Sequence, residues 1–169
     1  MSQNRREFLG LSCACLGALS ALSALDLEAF QAAPEGKAPG SMVDWTQQHL
    51  KEGFWSADSL FLSGIKYLKQ PEDLVRIATG FGGGMLQKDL CGYVTGGVMA
   101  IGLFSGAAKG NDKAAREKCG RLVKEYTAWW AKNYPMRCGD IKHPCDYATM
   151  GKNASEFLQK MFEREAVKA

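Results

Sequence analysis

Gly80-Phe81-Gly82-Gly83-Gly84-Met85, followed after a short polar turn by Leu90-Cys91-Gly92-Tyr93-Val94-Thr95-Gly96-Gly97-Val98-Met99-Ala100-Ile101-Gly102-Leu103, is the stretch whose reading decides the fold. A glycine-dense loop delivers a cysteine to the start of an apolar helix notched by glycines. Glycine inside a helix costs roughly 0.5–1 kcal/mol per position relative to alanine. Close approach of a second helix, or of a ligand, to backbone without side chains compensates for that cost. Cys91 stands at the mouth of this helix, near the positive end of the macrodipole, which favours thiolate over thiol. It is the first residue to examine for chemistry.

The segments on either side read as helices. Ser41 or Asp44 caps a first helix that runs to about Lys51 and stops at Gly53. A second spans Ser56 to Lys69, with Leu60, Phe61, Ile65 and Leu68 at helical spacing and Ser56 as its N-cap. Pro71 opens a third, with Glu72 and Asp73 in its first turn, and Gly80 closes it. The Cys91 helix extends to about Ser105. A long amphipathic helix covers Asn111 to Asn133, with Ala115, Cys119, Leu122, Tyr126, Trp129 and Trp130 on one face. Pro135 breaks it, and a loop carries Cys138 and Cys145. A last helix from Asp146 to Glu165 buries Tyr147, Phe157, Leu158, Met161 and Phe162. No strand alternation and no repeat interrupts the pattern. The expectation is an all-α, single-domain bundle of about five to six helices around the Gly-rich one.

The N-terminus carries Asn4-Arg5-Arg6-Glu7-Phe8-Leu9-Gly10, then an apolar run from about Leu11 to Leu25. This reads as a twin-arginine export signal, too short for the ~20 apolar residues of a membrane span. Small residues (Ala29, Ala32 and Ala33) place cleavage near Phe30 to Ala33. The chain then divides into a signal over residues 1–33, a linker over 34–40 and a domain over 41–169. Such export delivers folded proteins to the periplasm through the twin-arginine translocase, often with a cofactor already in place. An uncleaved signal would instead leave the chain anchored. Cys13 and Cys15 leave with the signal.

Composition narrows the function further. The formal net charge is +3, spread along the chain without a basic run, which excludes nucleic acid and anionic membrane as partners. Gly82-Gly83-Gly84 is followed by no Lys-Ser/Thr, so it is no phosphate cradle. There is no nucleophile elbow, paired-histidine metal motif or c-type haem sequence. His49 reads as a surface histidine, and Trp129-Trp130 as packing in the core or at a helix interface. What remains is the cysteine set Cys91, Cys119, Cys138 and Cys145: too few for a disulfide scaffold, enough for one metal site or two bridges.

With these residues in view, the chain resembles the C-GCAxxG-C-C family, whose members are thought to be redox-active through their cysteines. The Gly-rich turn before Leu90-Cys91-Gly92, the helix that opens on it, the amphipathic helix after it and the closing cysteine pair carry the resemblance over most of residues 53–165. It implies that Cys91 is the central motif cysteine and that Cys138 and Cys145 are the closing pair. The family's first cysteine falls where this chain reads Gly53-Phe54-Trp55-Ser56-Ala57-Asp58, so Ser56 stands in its place. A four-thiolate site is not completed by the family positions.

Two uses of the cysteines stay open. Cys91, Cys138 and Cys145 could hold an iron–sulfur cluster or another metal, with Cys119, Ser56, His143 or Asp146 as fourth ligand. Alternatively Cys138 and Cys145, with six residues between them, form a disulfide: a structural staple, or a reversible dithiol poised against Cys91. Cys119, on an apolar stripe, reads more simply as a small hydrophobe. The expected function is an exported redox protein that transfers electrons with a periplasmic redox protein or a membrane redox complex. The alternative is a non-catalytic accessory or binding module stapled by Cys138–Cys145.

Overall fold

The computed structural model describes residues 40–142 and 146–167. The signal segment, nearly all of the linker, and His143, Pro144 and Cys145 lie outside the described residues. Among the described residues there are five α-helices and no strand: α1 (Met42–Lys51), α2 (Ser56–Tyr67), α3 (Gly92–Ser105), α4 (Lys113–Asn133) and α5 (Asp146–Ala166). α3 is the glycine-notched segment, and it packs against α2, α4 and α5, while α1 lies on α2 and α5. The expected all-α bundle around a Gly-rich central helix is the architecture found. No described helix is long and apolar enough to cross a membrane.

Close approach is what the glycines of α3 permit. A Cβ on Gly96 would stand 2.6 Å from the Ala57 carbonyl oxygen, and one on Gly92 would collide with Ser56 Oγ. The first turn of α2 therefore rests on bare α3 backbone. Around this crossing the core is filled by Leu60, Ile65, Tyr93, Ile101, Leu122, Trp130, Leu158 and Phe162, all buried. Each such side chain contributes about 1.5–3 kcal/mol through its removal from water.

Helix ends follow local chemistry, with two departures. Ser41 Oγ accepts from the Val43 N–H at 3.1 Å, and Asp112 Oδ1 accepts from the Ala115 N–H at 3.0 Å, as N-caps do. α2 is capped at Trp55 instead of Ser56, because Asp58 in the first turn reaches back to the Trp55 N–H at 3.4 Å. Ser56 is the first helical residue. The expected third helix breaks into two 3₁₀ pieces, Glu72–Ile77 and Thr79–Phe81. There the bonds run i to i−3, from the Leu74 N–H to Pro71 and from the Ala78 N–H to Val75. His49 is buried, not at the surface as expected: it is 3% exposed, one turn from buried Thr46 on the inner face of α1, with Nδ1 3.0 Å from Glu52.

The glycine loop adopts a backbone the sequence did not suggest. Gly83, Gly84, Met85 and Leu86 have φ of 59°, 66°, 56° and 58°, so four consecutive residues are left-handed. For Met85 and Leu86 this costs roughly 1–2 kcal/mol each, and both side chains point into solvent. The turn closes where the Asp89 N–H donates to the Gly84 carbonyl at 3.1 Å.

Candidate functional site

Two backbone bonds bring distant cysteines together. The Cys91 N–H donates to the Met136 carbonyl at 2.8 Å, and the Cys138 N–H donates to the Asp89 carbonyl at 2.6 Å. Leu90 and Arg137 face each other between them as an isolated antiparallel bridge. In that register Leu90 and Arg137 point to one side, and Asp89, Cys91, Met136 and Cys138 to the other. Cys91 and Cys138 are thus diagonal neighbours on one face, a relation that typically spans ~7–8 Å. Pro135 makes this possible: it ends α4 and turns the chain back as an extended segment that α3's leading strand can pair with. An ion pair across the two segments, Arg137 Nε to Asp89 Oδ1 at 3.5 Å, joins them as well.

The two thiols differ in access. Cys91 is 0% exposed, while Cys138 is half-buried at the start of a 3₁₀ turn. Burial pushes the Cys91 thiol up to about 11, with Cys138 beside it adding in the same direction. Desolvation outweighs the helix N-terminus that was expected to favour thiolate here. Tyr147 Oη lies 3.6 Å from Cys138 Sγ, and burial, then this hydrogen bond, push the Tyr147 phenol up to about 12. Tyr93, the second residue of α3, donates from its hydroxyl to the Tyr147 carbonyl at 2.7 Å. A Cβ on left-handed Gly84 would stand 2.9 Å from Cys138 Cβ, so only glycine lets the loop close over this cysteine.

Ser56, the position of the missing first cysteine, comes to the same place through its contact with Gly92. Cys119 does not. Its neighbour Lys118 lies over Phe104, 5.2 Å from the ring centroid, at the far end of α3 and about 20 Å along that helix from Cys91. Cys145 and His143 lie outside the described residues. Among the described residues no three His, Cys, Asp or Glu side chains gather as a metal-binding group. The described donors at the site are two thiols, the Ser56 hydroxyl and the Tyr147 phenol, short of the four thiolates of a common cluster site. Sequence reasoning placed Tyr147 in the core and gave Tyr93 no role. Their spacing carries no signal for contact with a cysteine brought in by an unrelated segment.

Residues 54–165 match the family model described as "Putative redox-active protein (C_GCAxxG_C_C)". The chain belongs to this family. The match runs from just before Ser56 to near the end of α5, so it covers α2 to α5 and leaves α1 outside. No curated protein and no solved structure matches the chain.

Proposed function

We propose that this chain is an exported redox protein in which Cys91, Cys138 and Cys145 carry the electrons. The observation that supports it most is the pairing of Asp89–Cys91 with Met136–Cys138, which sets a buried and a half-exposed thiol on one face. The exposed member can meet a partner and the buried member can resolve the bond. In an exchange with a partner's disulfide, Cys138 sulfur attacks one partner sulfur and gives a mixed disulfide while the other leaves as a thiol. Cys91 sulfur then displaces the partner as the Met136–Cys138 segment shifts toward it, since a disulfide spans Cα atoms no more than about 7 Å apart. The chain ends as a disulfide and the partner as a dithiol, two electrons and two protons having moved between them. The twin-arginine signal supports a periplasmic setting, with a periplasmic redox protein or a membrane redox complex as partner.

The test is mass-spectrometric mapping of the mature protein after oxidation and after reduction. A bridge joining Cys91 to Cys138 or Cys145 that forms and breaks reversibly is the expected result. A Cys138–Cys145 bridge that resists reduction, with Cys91 always free, would return the protein to the accessory-module reading.

A metal or iron–sulfur cluster is the second reading, favoured by Ser56 standing against Gly92, the residue next to Cys91, and by the pairing that brings Cys138 alongside Cys91. Ser56, Cys91 and Cys138 with Cys145 would hold the group, and its chemistry would be one-electron transfer. Iron, zinc and acid-labile sulfide assays on anaerobically purified protein decide this reading. Under it, Ser56→Cys raises the metal retained, whereas in a dithiol protein it adds only a stray thiol.

A further inference from the structure

The cysteine end of the bundle differs from the other end in the chemistry of its rings. At the far end Phe104 and Phe162 stack with centroids 4.6 Å apart and Tyr67 lies 6.1 Å from Phe162, a cluster whose two phenylalanines do not exchange electrons readily. At the cysteine end a continuous series of tyrosine and tryptophan rings leads outward from Cys138, with Phe157 stacked on its last member, Trp129, at 4.4 Å. Tyr147 touches the Cys138 sulfur. Its ring lies 6.4 Å from Tyr93, Tyr93 lies 5.9 Å from Trp130, and Trp130 lies 6.1 Å from Trp129 and 4.9 Å from Tyr134. Trp129 and Tyr134 are only half-buried and line an open cleft of about 300 Å³ with Asn133, Asn153 and Lys160. Hydrogen bonds fix the same series. Tyr126 donates to the Tyr93 carbonyl at 2.8 Å, Tyr93 to the Tyr147 carbonyl at 2.7 Å, and Trp130 Nε1 to the Pro135 carbonyl at 2.9 Å. Filling a core requires apolar volume, which phenylalanine supplies without a polar atom to satisfy. An unbroken series of oxidisable rings from a sulfur to the surface asks for more than that.

We propose that Tyr147, Tyr93, Trp130 and Trp129 form a one-electron path between the cysteine site and the cleft at Trp129. This goes beyond the proposed cysteine chemistry and takes Cys138 as its inner end. The acceptor at the outer end is an oxidised metal centre of a partner protein, Fe³⁺ or Cu²⁺. An electron leaves Trp129 for that centre and is replaced through Trp130 and Tyr93 from Tyr147, whose phenol proton passes to water. Tyr93 bridges without becoming a radical, because its hydroxyl has only a backbone carbonyl to receive its proton. The Tyr147 phenoxyl radical takes a hydrogen atom from the Cys138 thiol. The resulting thiyl radical bonds to Cys91 sulfur, which releases its proton, and the second electron leaves by the same route. In sum, two thiols become one disulfide, two protons are released and two metal ions are each reduced by one electron.

Flash-generated tris(bipyridine)ruthenium(III), with methyl viologen as quencher, tests the path on the reduced full chain. In the unaltered protein the indole radical should give way to a phenoxyl radical, then to thiol oxidation. Tyr147→Phe should lengthen the indole radical's life and lower thiol oxidation, each by about tenfold or more. Trp130→Phe should lower phenoxyl formation similarly, and Trp130→Tyr should restore it. Trp129→Phe, at a half-exposed position, repeats the test where folding is not at risk, and circular dichroism verifies every variant. Thiol oxidation unchanged in Tyr147→Phe and in both Phe variants of the tryptophans would overturn the path. A radical that reaches Tyr147 while the thiols stay reduced would keep the path and overturn the cysteine chemistry instead.

Discussion

Cys91 and Cys138 differ most in what can reach them. With Cys91 buried and its thiol pushed up to about 11, iodoacetamide at pH 8 should modify Cys138 faster by about tenfold or more, as peptide mapping would show. The same shift has a consequence for stability. The native state holds the Cys91 proton more tightly than the unfolded chain does, so its contribution is intact below the ordinary thiol value of 9.0. It is lost as pH rises from there to about 11. The loss attributable to Cys91 is on the order of 2–3 kcal/mol. Urea unfolding at pH 8 and 10.5 should show a drop that Cys91→Ala reduces, and an equal drop in both proteins would refute the assignment. Gly96 offers a test of close approach. Its missing Cβ leaves room for the Ala57 carbonyl, a backbone atom that cannot swing aside. Overpacking of about 1–3 kcal/mol therefore outweighs the ~1 kcal/mol of helix propensity that Gly96→Ala would gain, and thermal melting should fall by several degrees.

At the scale of elements, the left-handed turn is where local preference and structure disagree most. Leu86 is 68% exposed at φ 58°, so it holds a conformation that only glycine adopts freely, and no burial compensates. Leu86→Gly should raise stability by about 1 kcal/mol in denaturant titration. A loss would mean that the Leu86 side chain holds the turn in place. The boundaries of α1, α3, α4 and α5 were legible in the sequence because caps, apolar spacing and Pro135 act within a few residues of where they are read. What was not legible depends on partners far along the chain. The choice of Trp55 over Ser56 as cap is set by Asp58, but Ser56's freedom matters only because Gly92 faces it. Burial of His49 depends on α2 and α5 closing over α1. The cysteine motif singled out Cys91 and Cys138, which the fold brings to one face. Their diagonal placement needed the pairing of two extended segments too short to read as strands, and Tyr147 entered the site only through that pairing.

Across the whole molecule, buried hydroxyls tie the helices that open and close the chain. Thr46 of α1 donates to Ser63 of α2 at 2.8 Å, and Ser155 of α5 lies 2.7 Å from Thr46. Thr46→Val removes both hydroxyl contacts while Ser63 and Ser155 still donate to the Ser59 and Gly151 carbonyls, so it should cost only about 0.5–1.5 kcal/mol in urea unfolding. The antiparallel contact of Cys91 with the Met136–Cys138 segment joins residues so far apart in sequence that any covalent link between them would span the whole of α3 and α4. Linking Cys91 to Cys138 would tether a loop of roughly 48 residues and, in the chain-entropy account, restrict the unfolded ensemble by about 4 kcal/mol. Oxidation state and fold durability are therefore a single thermodynamic cycle: whatever withdraws electrons from this pair also fastens the bundle shut, and whatever returns them loosens it.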